Sequence, residues 1–234
     1  ESISVFGGED LVPPQYGKVF ISIKPRNGDF VPNLIKQNIK RDLKRYAVAG
    51  IVPEILDLKY LFIETNSKVY YNTNLAPSAS FVSTKVQRDL TSYAESSELN
   101  KYGARFKYSR FLKVIDSSHE SVTSNITTVE MRRDLRLAIS EVAEYAIDFG
   151  NQFHIQSMNG FNIRSSAFRV LNINTDVYLY DTPDSTGEKG QISLFSLDEG
   201  SSTPVIQRRN IGVINYKTGR ITLDPINIVS GKTK

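Results

Sequence analysis

The sequence contains no cysteine and no tryptophan, and its only histidines are His119 and His154. Without cysteine there is no disulfide, no thiolate metal site and no cysteine nucleophile. The two histidines lie far apart in the chain, whereas a zinc site needs three or four ligands that usually include a close pair. We therefore expect no metal site and no cofactor.

Long apolar runs and concentrated charge are also missing. No stretch approaches the roughly 20 apolar residues of a membrane helix, and no signal peptide is recognisable. The net charge of +4 reflects 29 basic against 25 acidic residues. The densest basic cluster, Arg132, Arg133 and Arg136, is interleaved with acidic side chains, whereas nucleic-acid binders gather their basic residues in a patch. We expect neither membrane insertion nor dedicated nucleic-acid binding.

Motifs for catalysis are absent. Gly7-Gly8 is not followed by the Lys-Ser/Thr of a phosphate-binding loop, and no Gly-x-Ser-x-Gly elbow occurs. Paired carboxylates such as Glu95 and Glu98 would need a desolvated cleft to act as acid and base, and a sequence does not reveal one. The chain is predicted not to be an enzyme.

Residues 18 to 135 alternate between strand and helix patterns. Val19, Phe20, Ile21 and Ile23 predict a strand. The next segment, 32 to 46, is predicted to be an amphipathic helix from apolar residues spaced three and four apart, namely Leu34, Ile35, Ile39, Leu43 and Ala47. The full pattern is β-α-β-β-α-α-β, which indicates an α+β domain with an antiparallel or mixed sheet covered by helices. A ferredoxin-like split arrangement is the preferred topology.

Three local signals refine this pattern. Asn66-Ser67 is typical of a hairpin turn between two strands. Ser83 or Thr84 is suited to cap the second helix, because either hydroxyl can bond the free amides of a first turn. A third helix is predicted from about Lys101 to Ile115.

The stretch from Asn125 to Ile139 fits two structures. Val129, Met131, Leu135, Leu137 and Ile139 share one face of a strand. The alternative is a helix, whose stripe would comprise Leu135, Ala138, Ile139, Val142, Ala143 and Ala146. The β-branched residues at the start favour a strand, so we predict a strand, a loop and a second strand from Ala143 to Phe149.

The apolar residues of the last hundred positions show no helical periodicity. Short apolar runs alternate with turn residues, and Lys217-Thr218-Gly219 predicts a hairpin turn near the end. We therefore divide the chain into an extended N-terminal arm (1–17), an α+β domain (18–135) and a mainly β domain (136–234). Because the sequence begins with Glu1 and not Met, we expect it to be a fragment of a longer protein.

The N-terminal arm carries the most specific pattern in the chain. Val5 to Asp10, followed by Pro13 to Ile21, resembles the baseplate wedge proteins of T4-like contractile-tailed bacteriophages and the wider baseplate J family. Shorter similarities occur from Asp116 to Val129 and from Asp148 to Asn151. Physically, the glycines allow a close backbone approach, and Pro13 and Pro14 favour an extended path.

The resemblance implies a structural subunit of the virion tail baseplate, assembled in the host cytoplasm. Such a subunit would pair with copies of itself, as a homodimer or in ring contacts, and with other wedge subunits. The contacts would shift during sheath contraction, with a hinge predicted near residues 136 to 142. Candidate protein-interface residues are Tyr16, Pro13, Pro14, Arg132, Arg133 and Arg136. The chain's 12 tyrosines also favour assembly.

One alternative remains for the β domain. It could be a nucleic-acid or polysaccharide binding module in a phage or bacterial surface assembly, with a basic or aromatic groove near Arg208-Arg209 or Arg132-Arg133. Binding of a nucleic acid would then weaken as the salt concentration rises.

Overall fold

The computed structural model describes residues 2–11, 14–25, 28, 30–48, 50–198, 200–201 and 203–232. Its chain divides into two compact units, the first extending to Glu130 and the second starting at Met131. Helices and strands combine as an α+β protein, which confirms the predicted fold class. The three-part division with boundaries at residues 17 and 135 stays a prediction.

The first unit begins with a three-stranded mixed sheet. Its strands are β1 (Ser2–Gly7), β2 (Lys18–Lys24) and β3 (Val52–Leu56). β1 pairs antiparallel with β2, and β2 pairs parallel with β3. The helix α1 (Asn33–Lys44) provides the crossover that a parallel pair requires. The start of the predicted arm is therefore an edge strand of this sheet.

α1 forms close to the predicted span, but its apolar residues are not buried as expected. The helix buries none of its side chains; Ile39 and Leu43 are half-buried, and Leu34 is 70% exposed. The three-strand sheet supplies only a narrow surface, and the buried side chains among the described residues of this region are those of Phe20, Ser22, Val31 and Pro53. The periodicity was sufficient to predict the helix, but not the extent of its burial.

A two-stranded sheet with two helices completes the first unit. Its elements are β4 (Phe62–Tyr71), α2 (Ala79–Glu95), α3 (Tyr108–Asp116) and β5 (Val122–Arg132). β4 pairs with β5, and Val82, Val86, Phe111 and Ile115 form the buried core between the helices. The order of elements agrees with the predicted pattern, but the two middle strands are separated at residues 57–61 and not at Asn66-Ser67. The ferredoxin-like topology is wrong, because the strands form two small sheets and not one.

Three local predictions in this region are also wrong. Asn66-Ser67 is no hairpin turn, since β4 runs through both residues without interruption. The cap of α2 is Ser78, whose Oγ accepts a hydrogen bond from Phe81 N at 3.2 Å, and not Ser83 or Thr84. α3 starts at Tyr108 and not near Lys101, because a turn containing Gly103 at φ +68° precedes it.

The second unit is mainly β, as predicted. Its strands are β6 (Val142–Asp148), β7 (Phe168–Val170), β8 (Tyr178–Pro183), β9 (Lys189–Leu197), β10 (Pro204–Asn215) and β11 (Arg220–Gly231). They form one sheet in the order β6-β11-β10-β9-β8, with β7 also paired to β11. The predicted succession of strand, loop and strand is confirmed, but the first strand ends at Arg132, so Leu135, Leu137 and Ile139 lie in the loop. The hairpin turn between Asn215 and Arg220 is also confirmed.

The core of the second unit lies on one face of this sheet. Its fully buried members come from neighbouring strands and include Val177, Ile192, Leu194 and Ile214. The outer edge of β8 is covered by the segment before β7, because Phe161 N donates to Asp181 O and Phe168 exchanges two backbone hydrogen bonds with Val177. This cover leaves the β8 edge closed to further strand pairing.

The segment predicted as a hinge, residues 136–142, is held to the second unit at two points. Ala138 N donates to Tyr145 Oη at 3.1 Å, and Ser140 N donates to Ile228 O at 2.8 Å. Leu137 also packs against the core of this unit. Motion about this segment would have to break these contacts, and the hinge stays a prediction.

Candidate protein-interaction site

The N-terminal turn is built on a close backbone contact at Gly8. Gln15 N donates to Gly8 O at 2.8 Å, and Leu11 N donates to the same oxygen at 3.3 Å. A Cβ atom at Gly8 would lie only 1.9 Å from Gln15 O. Only glycine therefore allows the chain to fold back here, which is the close approach that the sequence motif indicates.

This turn presents Tyr16 to solvent. The Tyr16 side chain is 80% exposed, and Pro14 is also exposed. Directly after it, Gly17 adopts φ +74° and its carbonyl accepts a hydrogen bond from Val52 N at 2.9 Å. The tyrosine thus projects from a turn that is fixed at Gly8 on one side and at β3 on the other. Pro13, the third predicted interface residue of the arm, lies outside the described residues.

The three predicted interface arginines lie in different environments. Arg132 is half-buried, and its Nε donates to Asp134 Oδ1 at 2.9 Å. Arg133 is also partly buried; desolvation lowers the pKa of its guanidinium, although the charge of Asp148 opposes this shift. Arg136 is exposed. Of the three, only Arg136 is placed where a partner could reach it readily, and their role at an interface stays a prediction.

Sequence reasoning missed the exposed apolar residues of the first unit. Ile3 and Val5 of β1 are 62% and 60% exposed. Leu34 and Ile35 of α1 and Tyr46 just after it are exposed as well. Scattered apolar residues are normal on a protein surface, and these five are candidates for contact with a partner. The alternating pattern of β1 was visible in the sequence, whereas the lack of a covering layer was not.

An aromatic cluster lies on the outer strands of the second unit. Phe161 stacks on Tyr180 with ring centroids 4.7 Å apart, and Tyr178 stacks on Phe195 at 5.3 Å. Phe161 is half exposed and adopts φ +63°, a conformation that costs a residue other than glycine about 1–2 kcal/mol. Its backbone bond to Asp181 and its ring contacts keep it there.

The most buried polar group of the second unit is the carboxylate of Asp181. It is fully buried and accepts hydrogen bonds from Tyr216 Oη, Asn162 Nδ2 and Ile163 N at 2.5, 2.7 and 2.9 Å. Burial, followed by the hydrogen bond to Asp181, raises the pKa of Tyr216 far above its ordinary value. Both oxygens of this carboxylate accept hydrogen bonds from the chain itself. The carboxylate therefore attaches the loop around Asn162 to β8.

The concave surfaces of the second unit are shallow. One depression of about 410 Å³ is lined by Gln152, Phe153, His154, Ile155, Gly187 and Tyr216. A smaller one holds Arg169 and Lys232, which both bond to Asp176 at 2.9 and 2.7 Å. Neither brings a carboxylate beside a histidine in the way that acid–base catalysis needs.

The two histidines belong to different units of the chain. His119 belongs to the first unit and is half-buried, with its Nδ1 2.8 Å from Ser121 Oγ and its ring edge-on to Phe81. His154 is exposed in the second unit. Within the described ranges, no group of three or more histidine, aspartate or glutamate residues is arranged to hold a metal ion, and no helix there is long and apolar enough to cross a membrane.

The sequence of residues 1–134 matches two family models in chain order. Residues 1–56 match the model described as baseplate structural protein gp6, C-terminal domain I, and residues 59–134 match C-terminal domain III of the same protein. The chain belongs to the gp6 family of baseplate structural proteins. The two matched segments correspond to the two small sheets with their helices, and the match confirms the resemblance found at the N-terminal motif.

A curated relative supports the same family. The baseplate wedge protein gp6 of Enterobacteria phage T4 is 30% identical over 171 residues, which cover 70% of this chain. The match spans 26% of the length of that relative. Residues 135–234 lie outside both family models.

Proposed function

We propose that this chain is a non-enzymatic structural part of the baseplate wedge in the tail of a contractile phage. The observation that carries the proposal is the succession of two gp6 C-terminal domains along the first 134 residues. The T4 relative is named a baseplate wedge protein, and a wedge protein has to form stable contacts with its neighbours. In this proposal the chain is located in the virion.

The surface of the first unit supports an assembly role. Tyr16 projects from a fixed turn, and the apolar residues Ile3, Val5 and Leu34 are exposed within the same sheet and helix. Because these side chains project from backbone that is already ordered, a partner that covers them restricts little additional backbone. The proposed partners are other wedge subunits and copies of the chain itself, in contacts that shift when the sheath contracts.

The test is the protein composition of purified baseplates. Baseplates from the phage that encodes this chain are washed at rising salt concentrations and analysed by quantitative mass spectrometry. A structural wedge protein remains at a constant ratio to its neighbours through the washes, because complementary apolar contacts resist salt. Absence of the chain from these baseplates would refute the proposal.

The nucleic-acid alternative makes the opposite prediction. Arg208 and Arg209 are exposed on β10, near the aromatic cluster formed with Phe195, and stacking beside basic side chains is how single strands are bound. Such binding falls steeply with salt. If the purified chain retained labelled single-stranded DNA at low salt and released it near 200 mM salt, the β unit would have this second role.

A further inference from the structure

The outer edge of β1 is an open strand edge without the usual protection against pairing. β1 uses one edge to pair with β2 over all six residues from Ser2 to Gly7. On the other edge, alternate backbone N–H and C=O groups point away from the sheet, and the described residues provide no backbone partner for them. The strand contains no charged residue and no proline. Such an edge is a template for pairing with another strand.

The other sheet edges of the described chain differ from β1 in this respect. β3 carries Pro53 and Glu54, and β6 carries Glu144 and Asp148. β8 is covered by the segment that ends at Phe168. The free part of β10 has Pro204 and two register shifts, and both β4 and β5 carry charged side chains. Charge, proline, irregular pairing and cover are the means by which proteins keep edges from associating, so their absence at β1 sets this strand apart.

We propose that β1 pairs with β1 of a second copy of this chain, antiparallel across a twofold axis. The two three-stranded sheets then join into one six-stranded sheet. This inference rests on the proposed assembly function and adds the surface through which self-association occurs.

The side-chain pattern of β1 is complementary to itself. Ile3 and Val5 lie on one face, and Ser2 and Ser4 lie on the other. When two copies pair about Ser4, Ile3 of each faces Val5 of the other, and the two serines face each other. The exposed side chains of Ile3 and Val5 then form one apolar cluster that continues over Ile21 and Ile23, their cross-strand neighbours in β2. Antiparallel pairing about Ser4 makes each contact twice, once on either side of the twofold axis, as expected of an interface between identical surfaces.

The strand is also held in place before any partner arrives. The Oγ of Ser2 accepts a hydrogen bond from Tyr102 N at 2.9 Å, and Phe6 stacks on Phe20 with centroids 5.7 Å apart. Because the edge is ordered in the free chain, pairing loses little backbone entropy.

The absence of cysteine makes a direct test possible. In Ser4→Cys the only thiols of a pair of copies lie opposite each other, with Cα atoms roughly 4.5–5.5 Å apart, within the range for a disulfide. Mild oxidation should give a covalent dimer. Ser92→Cys, an exposed position on α2, is the matched control and should remain mostly monomeric. Equal dimer yields from the two variants would overturn the proposal.

Charge substitutions test the register independently of cysteine chemistry. Ile3→Lys/Val5→Lys places lysines opposite each other and should weaken self-association at least about tenfold in sedimentation equilibrium. Ile3→Glu/Val5→Lys places each glutamate opposite a lysine and should retain dimers. Both pairs replace exposed side chains, and circular dichroism checks that each variant is folded.

Other outcomes of these measurements reject the proposal. A wild-type chain that stays monomeric at about 100 µM, well above the micromolar range of weak specific pairs, would overturn it, as would equal association of both charge variants. Binding of a different wedge protein to this edge, abolished by Ile3→Lys/Val5→Lys, would assign the edge to that protein. In each of these cases the baseplate role is judged separately, by the composition of washed baseplates.

Discussion

Tyr216 donates its hydroxyl hydrogen to Asp181 Oδ2 at 2.5 Å, with both side chains buried in the second unit. This bond joins the turn before β11 to β8, and Asn162 donates to the same oxygen. Tyr216→Phe should lower the free energy of unfolding of the second unit by about 1–3 kcal/mol, because the buried carboxylate loses a donor. Hydrogen exchange of the buried β9 amides measures this change for the unit by itself.

The matched control is Tyr178→Phe. Tyr178 stacks on Phe195 in the same unit but is only half-buried, so loss of its hydroxyl should change stability by less than about 0.5 kcal/mol. If both substitutions had the same effect, the hydrogen bond to Asp181 would not be a special contributor to the stability of this unit.

Alkaline stability follows from the raised pKa of Tyr216. A tyrosine in the unfolded chain ionises near pH 10, whereas burial and Asp181 hold the pKa of Tyr216 in the folded chain far above that value. Its contribution is therefore complete below about pH 10 and is lost as the pH rises further, because only the unfolded state then releases the proton. Urea unfolding monitored by circular dichroism should show a steeper loss of stability above pH 10 for wild type than for Tyr216→Phe. Equal slopes would contradict this assignment.

The N-terminal turn depends on glycine at one position and not at its neighbour. Gly8→Ala places a Cβ 1.9 Å from Gln15 O, a backbone atom, and should destabilise the turn by about 1–3 kcal/mol. Gly7→Ala meets only the movable carboxylate of Glu9 and serves as the control. Exchange of the Gln15 amide, which donates to Gly8 O, should accelerate in the first variant and change little in the second. Protection of Gln15 in Gly8→Ala would show that the turn tolerates a side chain there.

The start of α2 can be tested through its cap. Ser78→Ala removes the acceptor for Phe81 N and should cost about 0.5–2 kcal/mol. Ser83→Ala lies within the helix, where alanine has the higher propensity, and should be neutral or slightly stabilising. Thermal unfolding of the first unit distinguishes the two, and a larger loss from Ser83→Ala would move the helix start to the position that the sequence favoured.

Long-range partners explain why the sequence was misleading at Asn66-Ser67. Ser67 Oγ lies 2.8 Å from Thr127 Oγ1, and Thr128 Oγ1 donates to Asn66 O at 3.4 Å. These contacts come from β5, about sixty residues later, and they hold the dipeptide in an extended strand. The local turn propensity of the dipeptide was outweighed by a tertiary pairing that no local pattern contains.

The spacing of apolar residues was more informative for single helices and strands, whose formation depends on neighbouring residues in the sequence. The helix near Leu34, the existence of strand β5 and the hairpin before Arg220 were all predictable from local residues, although the end of β5 at Arg132 was not. The division of the strands into separate sheets was not, because it depends on which strands meet. The same holds for the candidate surface. The motif around Gly8 and Tyr16 was recognisable in the sequence. The exposure of Ile3 and Val5 was not, because it depends on whether another part of the chain covers them.

The central claim is that this chain is a built-in part of the baseplate. Cryo-electron microscopy of intact baseplates from the encoding phage tests it most directly, with the two compact units fitted separately into the density. The account predicts that both units fit density that repeats around the tail axis and that the surface with Tyr16 and β1 contacts neighbouring protein. Baseplate density that accommodates neither unit would contradict it.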